Sequence, residues 1–377
     1  MKPPIDMERK LRQFMASLTE YPYYRALRDV QHWSDLPVTD KALINEKREL
    51  FELPHPGKVY ESFTSGTTGI PFRCVKTIEE RWRLAISIYR HRKKWGLPPK
   101  HQMLLLSNRS LSEPHHLDYY ANQLQRQHFH MIQGRASALV SLAQHIFQKN
   151  MALPSSLLFV QNWGEPVHAS QKHEIERVFR VPLVDYYGLE EIWCIAFSNQ
   201  LGQLEIDEDS VYVEVLEPGT NMPVQDGTYG EIVVTSFLMR SIPYVRYRTG
   251  DIGRTRRNEY GARIVELFPV RNAQIKLPGR EIHSSIFRYL DKFFYELAQN
   301  EQIKQFQVVQ ESHTEFRLLI VGSISEEQRL RTRLEKFLQQ SLRAEVSLTI
   351  ERKDQIPLTP NGKLQSFISL VNDNAQR

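Results

Sequence analysis

Ser62-Phe63-Thr64-Ser65-Gly66-Thr67-Thr68-Gly69-Ile70-Pro71 is the stretch of this chain best suited to hold an anion. Glycine lets the backbone bend until successive N–H groups converge on one point, and small hydroxyls add donors without filling the space. A phosphate fits such a cradle. The loop lacks the Gly-Lys-Ser/Thr ending of a P-loop, which excludes a Walker-type site, and an ordinary Ser/Thr/Gly surface turn has the same composition. Three later stretches also concentrate chemically useful groups: Asp185-Tyr186-Tyr187-Gly188-Leu189-Glu190-Glu191, Tyr247-Arg248-Thr249-Gly250-Asp251, and Pro357-Leu358-Thr359-Pro360-Asn361-Gly362-Lys363.

The elements around these stretches read as alternating helices and strands. Residues 5–50 suit short amphipathic helices, with Leu11, Phe14, Met15 and Leu18 at helical spacing and Leu36-Pro37-Val38 as a break. Thr77-Ile78-Glu79-Glu80 has the form of a capping box, and Ile78, Trp82, Ile86 and Tyr89 behind it share one helical face that Gly96 ends. A phosphate loop feeding a helix N-terminus is physically sensible, because free N–H groups there favour an anion. A helix over 138–150, a buried strand over 157–161 and a helix over 168–179 continue the alternation of a layered α/β sheet. Beyond residue 200 the pattern turns to β, with strands at 211–216 and 231–235 and turns at Pro218-Gly219 and Asp226-Gly227. The last hundred or so residues read as a small α+β unit, with strands at 306–310, 316–321 and 345–350 and a helix at 326–342. Pro278-Gly279 marks a turn near its start.

A chain of 377 residues exceeds one ordinary hydrophobic core, so at least two domains are expected. Apolar residues at 41% and charged residues at 25% exclude a mostly disordered chain. Cys74 and Cys194 form no pair or ligand spacing and read as buried thiols in a reducing compartment. Met1–Arg12 resembles no export signal, and nothing approaches the roughly twenty apolar residues of a membrane span. The expectation is therefore a cytoplasmic protein with no membrane partner. Basic residues are spread along the chain, so a net charge of +5 does not imply nucleic acid.

Together the four stretches, in this order, resemble the adenylate-forming (acyl-activating, AMP-binding) superfamily, specifically its phenylacetate–CoA ligase family, over nearly the whole chain. Gly134-Arg135-Ala136 to Asn150 is most similar to the capsule-biosynthesis and deazaflavin-adenylating branch. The resemblance implies an α/β fold: a layered N-terminal adenylation core over 1–272 with a β-rich subregion, and a small mobile α+β lid over 273–377 carrying Lys363. It implies ATP and magnesium as cofactors. Thr64, Ser65, Gly66, Thr67, Thr68 and Gly69 would hold the β- and γ-phosphates, and Glu191 would coordinate magnesium. Tyr187, followed by Gly188, would stack on adenine, or else be a core tyrosine. Asp251 would accept from the ribose hydroxyls, Arg271 would contact ribose or phosphate, and Lys363 would swing in to neutralise charge at the α-phosphate. Val270 and Gln274 replace the glycine and aspartate that the family places around that arginine, which alters the expected hinge.

The family's acyl pocket lies between Trp163-Gly164 and the Tyr186-Tyr187-Gly188 segment. With Trp163, Tyr186 and Trp193 it would be aromatic and shallow, favouring a planar aryl or short acid, though each ring equally suits a core. His115 and His116 read as lying in a loop over 112–116; with His128 and His130 they lack the spacing of a zinc site. The run Arg90-His91-Arg92-Lys93-Lys94 reads first as a solvated helix end, and otherwise as a docking patch for an acyl carrier protein or the phosphates of coenzyme A. The expected activity is conversion of a small carboxylic acid to its acyl-adenylate, with acyl transfer to a thiol of CoA or a carrier protein. Adenylyl transfer or amide-bond formation with another nucleophile, and a non-catalytic nucleotide-binding subunit, are the alternatives. The short chain leaves room for a dedicated partner or a homodimer.

Overall fold

The computed structural model describes residues 5–55, 57–64, 72–106, 114–167, 169–271, 274–283, 302–324, 326–356 and 367–371. It is a mixed α/β fold whose strands (β1–β19) and α-helices (α1–α9) are numbered along the chain among these residues. They divide into two compact units, one of 1–100 with 184–267 and one of 101–183 with 268–377.

In the first unit α1 (Ile5–Ser17) buries Met7, Leu11 and Phe14, a stripe at the spacing of one helical face. Asp40 caps α3 (Lys41–Glu46), its carboxylate accepting from the Leu43 amide at 2.8 Å. The antiparallel hairpin β1 (Val59–Thr64) and β2 (Phe72–Thr77) pairs Val59 with Thr77 and Thr64 with Phe72, so it carries the Ser/Thr/Gly loop between its strands. A strand thus separates that loop from α5 (Ile78–Lys93), contrary to the expectation that the loop feeds the helix directly.

The capping box is present. Thr77 accepts from the Glu80 amide, and Glu80 from the Thr77 amide at 2.6 Å. The helix ends at Lys93, before Gly96 at φ +87°. Its apolar face, however, points outward, with Trp82 67% and Ile86 61% exposed. The buried face is Glu80, Leu84, Ser87 and His91, because polar bonds hold it: the Glu80 carboxylate also accepts from the amides of Arg240 and Ser241. Most of the rest of the unit is a seven-stranded sheet in the order β10-β11-β12-β13-β9-β8-β7. Its strands are β7 (Tyr186–Tyr187), β8 (Ala196–Ser198), β9 (Leu204–Ile206), β10 (Val211–Leu216), β11 (Gly230–Ser236), β12 (Tyr247–Arg257) and β13 (Arg263–Arg271).

The second unit opens with a sheet in the order β3 (Met103–Leu105), β4 (Met131–Gly134), β5 (Phe159–Asn162) and β6 (Leu183–Val184). β3 pairs with β4 and β4 with β5 in parallel, and α6 (Pro114–Arg126), α7 (Ala136–Gln148) and α8 (Ala169–Phe179) alternate with these strands; α7, β5 and α8 lie where the sequence predicts a helix, a strand and a helix. Ile132, Leu139, Leu142, Val160, Ile175 and Phe179 form its core. His115 and His116 lie in the first turn of α6, not in a loop, with ring centroids 3.9 Å apart. Pro278-Gly279 turns the hairpin of β14 (Gln274–Leu277) and β15 (Arg280–His283). A further sheet follows in the order β18 (Ser347–Arg352), β17 (Glu315–Ser323), β16 (Gln302–Gln310), β19 (Phe367–Ser369). α9 (Glu327–Leu342) connects β17 to its parallel neighbour β18 and buries Leu330, Leu334, Leu338 and Leu342.

Candidate nucleotide site

Glycine is required at Gly188. A Cβ there would lie 1.6 Å from the Trp193 carbonyl oxygen, because Leu189 and Trp193 exchange backbone hydrogen bonds and Trp193 adopts φ +65°. That tight loop turns the adjacent acids in different directions, leaving Glu190 exposed and Glu191 buried.

Around Glu191 three distant segments meet. The Lys41 ammonium lies 2.9 Å from its Oε1, and the Tyr247 hydroxyl donates to the same oxygen at 2.9 Å. Lys41 also donates to the Thr64 hydroxyl at 3.1 Å and stands 5.8 Å from the centre of the Phe72 ring. The backbone explains the placement: Thr39 donates to the Arg246 carbonyl and accepts from the Arg248 amide, which fixes the start of α3 beside β12. Burial favours the neutral acid at Glu191, yet Lys41, a backbone hydrogen bond and Tyr247 outweigh it and hold the carboxyl below its ordinary range. An ionised carboxylate supplies the kind of oxygen donor that a hard divalent cation prefers.

Glu190 is held separately. Ser62 donates to its Oε1 at 2.7 Å, and Lys76, with a side chain only 3% exposed, lies 3.4 Å from the same atom. The Lys76 ammonium also stands 5.8 Å from the Trp193 ring centre. Cys74, two residues before Lys76 on β2, is buried, and burial first and Glu191 second push its thiol up to about 12. It is an inert core thiol, as expected.

Tyr187 packs in the core and donates its hydroxyl to Asp251 at 3.0 Å, so the residues expected at adenine and ribose are direct neighbours. Asp251 follows Gly250 at φ +75°, and its amide donates to the Thr249 hydroxyl at 3.0 Å. Tyr186 meets the Phe197 ring edge-on at 5.7 Å. Thr64, Tyr186, Tyr187, Gly188, Glu191, Trp193 and Asp251 all belong to the first unit. Trp163 and Gly164 follow β5 in the second, where the Trp163 amide donates to the Gly134 carbonyl at 3.2 Å. Arg271 closes β13, but its side chain, like Ser65, Gly66, Thr67, Thr68, Gly69 and Lys363, lies outside the described residues.

Sequence reasoning missed Lys41 and Lys76. Asp40 does signal a helix start at Lys41, but nothing local reveals a partner as remote as Glu191. The basic run keeps the exposed cations of a solvated helix end at Arg90, Lys93 and Lys94, but His91 is buried and several of the run's side chains are paired. Arg90 pairs with Asp209 at 2.7 Å and with Asp207, His91 stacks on Phe197 with ring centres 5.3 Å apart, and Lys94 reaches Glu205 at 3.5 Å. These contacts pin the C-terminal end of α5 to β8, β9 and the segment after β9. Donor atoms of His91, Cys194 and Asp207 lie within 4.8 Å of one another, but the set does not fit a metal. Asp207 already accepts from the Ser87 and Ser210 hydroxyls and from Arg90, and burial keeps the Cys194 thiol protonated. Among the described residues no helix is long and apolar enough to cross a membrane.

The fold is that of the adenylate-forming ligases. The structure superposes on 2-hydroxyisobutyryl-CoA ligase, in its postadenylation state with the acyl-adenylate, at a TM-score of 0.72, 16% identity and coverage of 98% of this chain and 94% of the other. It also matches the amide bond synthetase McbA of Marinactinospora thermotolerans at 0.58 and 18% identity, over 83% and 69% of the two chains. In sequence it is 32% identical to phenylacetate-coenzyme A ligase of Escherichia coli K12 over 95 residues, 24% of this chain and 22% of the relative. Protein CapK of Staphylococcus aureus is 23% identical over 153 residues, 41% of this chain and 32% of CapK. The resemblance to adenylate-forming ligases, including the capsule branch, is thereby borne out. No family profile matches the chain. The matched stretch spans about a fifth of the length of the phenylacetate–CoA ligases, 22% of the E. coli protein.

Proposed function

We propose that the chain activates a small, aromatic carboxylic acid with ATP and magnesium as its acyl-adenylate, releases pyrophosphate, and passes the acyl group to a thiol of CoA or a carrier protein. The observation that carries this reading is the convergence of Glu191, Lys41, Tyr247 and Thr64, with Tyr187 bonded to Asp251 in the same unit. Adenylation expels a highly charged leaving group, so it needs fixed charges and donors placed beforehand. A magnesium ion, when bound, supplies charge neutralisation at the phosphates. Glu191 is the residue that would hold it, and Thr64 with the loop after it would donate to phosphate oxygens. Asp251 would accept from the ribose, oriented by the Tyr187 hydroxyl. In this reading 1–272 is the adenylation core, and 273–377 is a mobile lid that delivers Lys363. The aromatic preference rests on Tyr186 and Trp193.

Reaction of the purified chain with Mg·ATP, CoA and a panel of aryl, short-chain and amino acids, read by product mass, tests this. Acid-dependent AMP with a thioester supports it; AMP with an amide, or an adenylylated product with pyrophosphate and no free AMP, selects the other nucleophiles. ATP left unchanged with every acid contradicts activation of a carboxylate. Gln274, where the family has aspartate, is the feature that favours a non-thiol acceptor.

A further inference from the structure

Ser62–Pro71 contains hydroxyls and glycines but no lysine, arginine or histidine. Pyrophosphate gathers several negative charges as it leaves, and a charged donor stabilises such oxygens about twice as strongly as a neutral one. A side-chain cation for this loop, beside any bound magnesium, would therefore come from elsewhere in the chain. Lys41 stands at its base. Its ammonium is 3.1 Å from the hydroxyl of Thr64, the residue that enters the loop, and 5.8 Å from the ring centre of Phe72, which leaves it. The Lys41 side chain is 34% exposed, whereas the Glu191 carboxylate that it touches is 2% exposed, so an incoming anion can reach the ammonium. An ammonium has three N–H donors; Glu191 and Thr64 engage two of them.

Resting on the adenylation reading above, we infer that Lys41 is the phosphate-binding cation of this site, donating to the β,γ end of ATP and to pyrophosphate. The competing account is that Lys41 only neutralises Glu191. The two differ in selectivity. A phosphate-binding cation discriminates ATP and pyrophosphate from AMP, which lacks the β- and γ-phosphates; a purely structural partner affects all three alike.

Calorimetric titration with ATP, pyrophosphate and AMP, with magnesium present and no acid, separates them. Lys41→Gln is expected to weaken ATP and pyrophosphate by about ten- to a hundredfold while leaving AMP within about twofold, and Lys41→Arg to recover most of the loss. Lys41→Gln strands a buried carboxylate, so the same substitution is also measured in a Glu191→Gln background, where no unpaired charge remains; the selective loss is expected there too. Equal weakening of ATP and AMP, or no weakening of either, in both backgrounds overturns the inference. Wild-type protein that binds none of the three overturns the adenylation reading, and the role of Lys41 with it.

Discussion

Glu191 shows how one residue's chemistry depends on remote neighbours. A carboxylate this buried would ordinarily be neutral, but Lys41 and Tyr247 keep it charged. Because its folded pKa lies below the ordinary 4.5, the charged form contributes stability that is complete above that value and is lost as pH falls through the folded one. Glu191→Gln should therefore unfold at a lower temperature than wild type near pH 7, with the gap narrowing below about pH 4.5. Thermal unfolding followed by circular dichroism across pH 3–8 checks this; a gap independent of pH would contradict it. At this scale part of the candidate site was legible in the sequence. Glu191, Tyr187 and Asp251 sit in short motifs and could be singled out, and the structure puts Tyr187 and Asp251 in contact. Lys41 and Lys76 could not be found, because each gains meaning only from a partner far along the chain.

Among the elements, α5 was legible at its ends and not on its faces. Its cap is local: Thr77 and Glu80 complete it between themselves, so the residue types announce it. Its orientation is not local. The buried face is polar because Glu80 binds the backbone at Arg240 and Ser241, while Ser87 and His91 meet Asp207. A moment drawn from Ile78, Trp82 and Ile86 points the wrong way, since those residues face solvent. Thr77→Ala should cost about 1 kcal/mol through the lost cap. Trp82→Ser, on the exposed face, should change stability by no more than about 0.5 kcal/mol. Urea denaturation of both variants tests the orientation; a larger loss for Trp82→Ser than for Thr77→Ala would contradict it. Strands were read more closely: β10 spans Val211–Leu216 as the sequence predicts, because alternation and flanking turns are both local signals.

Across the whole molecule, the succession of helices and strands identified a mixed α/β fold, yet the assembly of the first unit was hidden. It joins residues 1–100 to 184–267, and no periodicity shows that the start of the chain packs with its middle. That union underlies the proposed site, because it carries Lys41 and Thr64 to Glu191 and Tyr247. The most direct measurement is acid-dependent exchange of labelled pyrophosphate into ATP, with magnesium and no thiol, for wild type and Glu191→Gln. Exchange by wild type with one class of acid, reduced at least about a hundredfold in Glu191→Gln, is the expected result. ATP binding by wild type with no exchange for any acid, or undiminished exchange in Glu191→Gln, would contradict an adenylate-forming site built around Glu191.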